Sequence, residues 1–236
     1  MSRLMQLVVL CLLPATALAA PVVGSGMAAT QTRVATGFHG VALAIPATVE
    51  IRQGGAEGVA ITADDNVLPL IETRVSNGTL EIRWLDRATD VRTGKIAIVV
   101  QARSIDALTV GGSGSMRTAS LATPSLNATV GGSGAITIDK LDADALKATI
   151  GGSGTLSAAG RADKLDGTLA GSGRLTAQSL QTRDAQLALQ GSPEATVRVR
   201  DALAVTIAGS GSVTYYGKPR VTQTIMGSGS LRGAGE

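Results

Sequence analysis

A single cysteine, a single histidine and four aromatic residues in 236 are the scarcest features of this sequence, and each scarcity closes off a class of protein. Cys11 lies within the apolar run Leu4–Leu13, behind Arg3 and ahead of Pro14 and small residues, which is the three-part pattern of a secretory signal peptide. Cleavage after Ala17-Leu18-Ala19 removes it, so the mature chain is expected to carry no disulfide, no thiolate nucleophile and no cysteine metal site. Triads and histidine-based metal centres would all have to share His39, which reads as an ordinary loop side chain. Lys and Arg, 21 against 18 Asp and Glu, are scattered rather than gathered in a stripe. Phe38, Trp84, Tyr215 and Tyr216 are too few to stack bases, so a nucleic-acid partner is not expected. No apolar run beyond the leader is long enough to span a bilayer, so the mature chain is read without a transmembrane segment.

Glycine, by contrast, is abundant, with 30 residues, and it is ordered. A Gly-Ser pair recurs with its serine at Ser113, Ser133, Ser153, Ser172, Ser192, Ser210 and Ser228, at spacings of 20, 20, 19, 20, 18 and 18 residues. Aligned on that serine, the third residue before it is always aliphatic: Val110, Val130, Ile150, Leu169, Leu189, Ile207 and Ile225. The third residue after it is Met116, Ile136, Leu156, Leu175, Ala195, Val213 or Leu231. From the second copy on, the seventh residue before it is Leu126, Leu146, Leu165, Ala185, Leu203 or Val221. Alternation of period two predicts short strands with one face buried.

A repeat of this length cannot bury its own apolar face and must stack on its neighbours. The expected fold is therefore all-β: a single-stranded parallel β-helix, a right-handed β-solenoid of about seven rungs, roughly 35 Å long at about 4.8 Å per rung. Its structural corners are Gly112-Ser113-Gly114, Gly132-Ser133-Gly134, Gly152-Ser153-Gly154, Gly171-Ser172-Gly173, Gly209-Ser210-Gly211 and Gly227-Ser228-Gly229. The glycine after the serine implies positive φ or close approach between rungs, and Pro193 interrupts that column in the fifth rung. The expected organisation is a signal peptide over 1–19, a flexible leader over 20–36 and one β domain over 37–232. Within that domain, 37–105 read as irregular N-terminal strands and 106–232 as the repeats. Asn77-Gly78 predicts a tight hairpin between Ile71–Val75 and Thr79–Trp84.

Four residues before each serine lies a polar column, Thr109, Thr129, Thr149, Thr168, Ala188, Thr206 and Thr224. Stacked β-branched hydroxyls suit an exposed strand face. Thr129, Thr149, Thr168 and Thr206 are the candidate ligand-contacting residues. Other chemistry fits poorly. A calcium-binding nonapeptide needs Asp where this chain has Met116, Ile136 or Leu156, and Gly-Gly-Ser-Gly is neither a nucleophile elbow nor a P-loop. Neither a metal nor any other cofactor is expected, nor catalytic residues. Asp139, Asp142, Asp144, Asp163 and Asp166 could stack as an acidic strip, but Lys140, Lys147, Arg161 and Lys164 are interleaved with them, as on a solvated face.

Phe38 after the leader, Val49-Glu50-Ile51-Arg52-Gln53-Gly54, Asp64-Asp65-Asn66, Asn77-Gly78-Thr79-Leu80-Glu81-Ile82 and the string of Gly-Ser-Gly rungs together resemble the bacterial "putative auto-transporter adhesin, head GIN domain" family, over roughly residues 37–218. The resemblance implies a β-helical, periplasmic, surface-exposed or secreted protein that adheres or binds. Unlike an autotransporter, this sequence offers no stretch that could form a membrane barrel, so self-export is not expected. The expectation is a non-enzymatic adhesin-like or scaffold protein contacting an envelope polymer or protein along a solenoid face. A β-helix polysaccharide lyase or hydrolase and a structural envelope spacer are the alternatives. The last rung, with Val221, Ile225 and Leu231, is expected to need a cover, for which a weak end-to-end homodimer is the reading.

Overall fold

The structure, a computed structural model, describes residues 21–86 and 90–235; the expected signal peptide lies outside the described residues. From Leu121 to Gly209 the chain is almost continuous strand: Leu121–Gly132, Ala135–Gly152, Thr155–Gly171, Arg174–Gly191 and Glu194–Gly209. Each segment pairs in parallel with the next, and the register is the serine spacing itself, with Thr129 opposite Thr149 and Ile150 opposite Leu169. Ala107–Gly112 and Ser115–Thr118 continue the ladder at one end, and Ser212–Tyr216, Arg220–Gly227 and Ser230–Gly233 at the other. The fold is the expected parallel β-solenoid, and the seven corners from Gly112 to Gly227 bound six turns. Among the described residues there is no α-helix, only a 3-10 turn at Leu68–Leu70.

The aliphatic columns form its axis. Val130, Ile150, Leu169, Leu156, Leu175, Leu146 and Leu165 are each at most 1% exposed, and the core continues without a break into the N-terminal region through Val49, Ile61, Leu80 and Ile98. Full burial of such a side chain contributes about 1.5–3 kcal/mol, so the stack, rather than any single rung, carries the stability.

At the corners the two glycines have different reasons. The glycine before the serine has positive φ in every copy, +107° at Gly152 for example. The glycine after it does not; a Cβ on Gly154 would instead stand 2.7 Å from Gly134 O and overlap the Val130 Cγ1 methyl of the rung beneath. Close approach, and not φ, therefore excludes side chains there. Pro193 leaves the corner of the fifth rung intact. The ladder runs from the serine N–H and from the N–H two residues on, Ser192 to Gly171 O at 2.8 Å and Glu194 to Gly173 O at 3.0 Å, so a residue without an N–H between them forfeits nothing. The rung beneath also presents Leu169, unbranched at Cβ, where Gly134, Gly154 and Gly173 face Val110, Val130 and Ile150.

The N-terminal strands cap one end, but in an order the chain does not follow. Gly40–Leu43 and Thr48–Gln53 form a rung lying between the first regular rung and a rung made later in the chain by Thr79–Trp84 and Ala97–Ala102. The chain thus returns past its own earlier rung near Arg103. Gln53 fastens the crossing: its amide accepts from Ala122 N–H at 2.8 Å and donates to Ala122 O at 3.0 Å, as a backbone unit would. The expected hairpin is present, Ile71–Ser76 against Thr79–Trp84, with positive φ at both Asn77 and Gly78.

The flexible leader is corrected in part. Ala28–Arg33 is an edge strand antiparallel to Gly58–Asp64, which in turn runs antiparallel to Ala97–Ala102. Antiparallel strands close this end of the solenoid. Arg33 anchors the edge by donating to Ile71 O and to Leu68 O, and partial burial lowers its pKa. The segment Ala-Ala-Thr-Gln-Thr-Arg carries no apolar alternation because an edge strand on a cap has little to bury. At the opposite end Arg220–Gly227 and Ser230–Gly233 form an open edge, with Ile225 36% and Met226 59% exposed.

Candidate functional site

The threonine column forms a ladder in register: Thr109, Thr129, Thr149, Thr168, Ala188, Thr206 and Thr224 pair successively across the strands. Thr168 and Thr206 are exposed, and Thr129 and Thr149 are half-buried among their neighbours. A second ladder, missed in the sequence reading, runs along the next face four residues after the serine: Thr137, Ser157, Thr176, Thr196 and Thr214. The same column alignment would have found it. The exposed corner serines, Ser133, Ser153, Ser172, Ser192 and Ser210 among them, run between the two. The result is two hydroxyl-bearing strand faces with the exposed serine corners between them.

The acidic residues do not gather. Asp139 pairs with Arg117 at 2.9 Å, Asp142 with Arg161 at 3.1 Å, and Asp166 lies opposite Lys147. Asp144 and Asp163 alone stand one above the other, between the paired Ala143–Ala162 and Ala145–Lys164. Among the described residues no three His, Cys, Asp or Glu side chains are placed to hold a metal. His39 bonds Asp106 at 2.8 Å and joins consecutive rungs, with both side chains about half exposed.

A cleft opens in the solenoid surface where the rung length changes. Between Ser172 and Ser192 the repeat has 20 residues, and between Ser192 and Ser210 it has 18. Pairing therefore skips from Ala177–Val197 to Gln181–Arg198, and slips again between Thr182 and Asp184. The wider rung overhangs the narrower one, leaving a cleft of 570 Å³ whose walls carry Arg161, Arg183, Arg198, Arg200 and Lys218. Side chains replace the lost ladder bonds: the buried Thr182 hydroxyl donates to Arg198 O at 2.6 Å, and Arg198 Nε donates to Gln178 O at 3.0 Å. Arg200 grips Asp201 with two bonds of 2.8 and 2.9 Å, which holds the Asp201 carboxyl below its usual pKa. Arg183 meets Asp184 at 3.3 Å. Among the described residues Arg198 pairs with no carboxylate; its guanidinium lies 5.3 Å from the centre of the Tyr216 ring.

These features define a parallel β-solenoid with patterned outer faces. The chain belongs to the family described as "Putative auto-transporter adhesin, head GIN domain", whose profile matches residues 37–219. The fold is shared with the crystal structure of a protein described as a putative adhesin from Bacteroides fragilis, at a TM-score of 0.86 and 22% identity over 90% of this chain and 99% of that one. A putative lipid binding protein from Parabacteroides distasonis is similar at a TM-score of 0.78 and 24% identity, over 91% of this chain and 100% of that one. A putative adhesin from Parabacteroides merdae is similar at 0.70 and 19%, over 90% and 98%. No curated protein matches the chain in sequence. No helix among the described residues is long and apolar enough to cross a membrane.

Proposed function

We propose that this chain is an exported, non-enzymatic adhesin-like protein of the bacterial periplasm or outer surface, which holds a polymer or another envelope component along its outward faces. The observation that carries the reading is the pair of hydroxyl ladders. They present hydrogen-bonding groups at the rung spacing of about 4.8 Å on a scaffold whose core is almost entirely aliphatic. A surface of that kind makes many weak, repeated contacts and concentrates no single reactive group, which suits adhesion rather than turnover. The family to which the chain belongs points the same way. Thr129, Thr149, Thr168 and Thr206 are its proposed contact residues.

The test is incubation of the mature protein with a panel of neutral and acidic polysaccharides, followed by pull-down and by assay for newly released chain ends. Retention without cleavage supports the reading. Release of reducing or unsaturated ends would replace it with a lyase or hydrolase.

A further inference from the structure

We infer that the cleft between the 20- and 18-residue rungs binds the acidic groups of a polysaccharide, with Arg198 as the principal anchor. This inference deepens the adhesin reading and rests on it, because it names the chemical class of polymer and the place where it is held.

The argument starts with the charge. Five cations, Arg161, Arg183, Arg198, Arg200 and Lys218, line one cleft, in a chain whose other charges are spread among rungs. Arg161, Arg183 and Arg200 have carboxylate partners in Asp142, Asp184 and Asp201. Among the described residues Arg198 has none. Its Nε is committed to Gln178 O and its face to the Tyr216 ring, which fixes the guanidinium plane and leaves the two terminal nitrogens of its fork without an acceptor among the described residues. A half-buried, pre-oriented guanidinium with an open fork is matched by a carboxylate or sulfate bound through two parallel hydrogen bonds. Little side-chain freedom remains to be lost on binding.

Shape selects the rest of the ligand. The cleft crosses four successive rungs, from Arg161 past Arg183 and Arg200 to Lys218, and three steps of about 4.8 Å make it about 14 Å long. It is an open trough, suited to a segment of chain rather than to an enclosed small molecule. Cations recur along it, and Gln181 lies between Arg161 and Arg198 in register, offering an amide for sugar hydroxyls between charges. Asp163, in the lining beside Arg161, and Asp144 a rung further weaken the positive potential at that end, so the acidic chain is held chiefly by Arg183, Arg198 and Arg200. Single-stranded nucleic acid would need open aromatic faces to stack on, and a face of Tyr216 is already occupied by Arg198.

The experiment is titration of the mature chain by calorimetry with four probes: a tetragalacturonate, a heparin-derived tetrasaccharide, neutral maltotetraose and a deoxythymidine decamer. The acidic oligosaccharides should bind and maltotetraose should not, with affinity falling as salt rises. The carboxylated and sulfated arms distinguish which oxyanion is preferred. Arg198→Gln should weaken binding at least tenfold, and Arg198→Lys, which keeps the charge but not the fork, should recover only part of it. If Arg198→Gln lowers the melting temperature, Arg183→Gln on the exposed rim provides an independent reading and should weaken binding several-fold. Arg117→Gln, in the first regular rung, should change nothing. Unchanged affinity in both cleft variants, equal binding of maltotetraose, or tighter binding of the DNA would each overturn the assignment. Polysaccharide retention that survives Arg198→Gln removes the cleft but leaves the adhesin reading standing, whereas release of chain ends removes that reading whatever the cleft does.

Discussion

Replacing each glycine of one corner by alanine separates three physical effects within four residues. At Gly151 nothing lies within 4 Å of an added Cβ and φ is not positive. Its column already holds Ala170, Gln190, Ala208 and Met226 in other rungs. Gly151→Ala should therefore be neutral or stabilise by up to about 1 kcal/mol, through the reduced freedom of the unfolded chain. Gly152 has φ +107°, and its Cβ would stand 2.6 Å from Gly132 O, a backbone atom held in the ladder. Strain of about 1–3 kcal/mol for the backbone conformation is compounded by that contact, so Gly152→Ala should cost about 3 kcal/mol. Gly154→Ala meets Gly134 O at 2.7 Å and the Val130 methyl, and should cost about 1–3 kcal/mol, the usual range for overpacking a filled core. At about 2–4 °C per kcal/mol for a chain of this size, the middle variant should melt about 6–12 °C below the parent. Thr129→Ala, which removes an outward hydroxyl, should cost under about 1 kcal/mol. Urea midpoints with constant slope, measured alongside melting curves, test the series. Equal stability of Gly151→Ala and Gly152→Ala would refute the positive-φ and close-approach account of Gly152.

Three further outcomes are expected. EDTA should leave the melting temperature unchanged, because the positions that would carry calcium ligands in a nonapeptide roll are the buried Met116, Ile136 and Leu156; a substantial fall would contradict this. Hydrogen bonds from Arg200 and Arg52 lower the pKa values of Asp201 and Glu50. Their contribution to stability is therefore complete above the unfolded-state values of about 4 and is lost as pH falls through the lower folded values, so melting temperature should hold from about pH 7 to 5 and drop only below about 4. A drop between about pH 7 and 5 would point to a different titrating group. Finally, the open edge at Arg220–Gly227, which carries no lysine or proline to discourage pairing, is expected to be covered by a second copy related by a two-fold axis. Ile225→Lys with Leu231→Lys should then convert a weak dimer to a monomer in light scattering, and a parent protein that stays monomeric at high concentration removes the expectation.

Much of the fold was written locally. The aliphatic columns, the serine spacing, the threonine ladder and the Asn77-Gly78 hairpin are all periodic or short-range signals, and a repeat translates sequence spacing directly into neighbours in space. The corner was only half resolved: positive φ and close approach both demand glycine, so composition could not say that the first reason applies before the serine and the second after it. Only in three dimensions does Val130 appear beneath Gly154, and Leu169, without a branched Cβ, beneath Pro193.

What needed the tertiary structure was the order and the irregularities. Nothing in residues 37–105 indicates that Gly40–Leu43 and Thr48–Gln53 slot in above a rung made later in the chain, because pairing between distant segments is decided by the core they share and by a crossing held through Gln53. Ala28–Arg33 is a strand only because Gly58–Asp64 offers it an edge. The cleft follows from a length difference visible in the spacing, yet which side chains it gathers depends on where the register slips, at Ala177 and Thr182. By itself the sequence determined a stacked β repeat with an aliphatic axis, since both follow from residues at fixed intervals. Where the stack begins, how it is capped and where its charges converge were decided by long-range pairing, which no interval in the chain encodes.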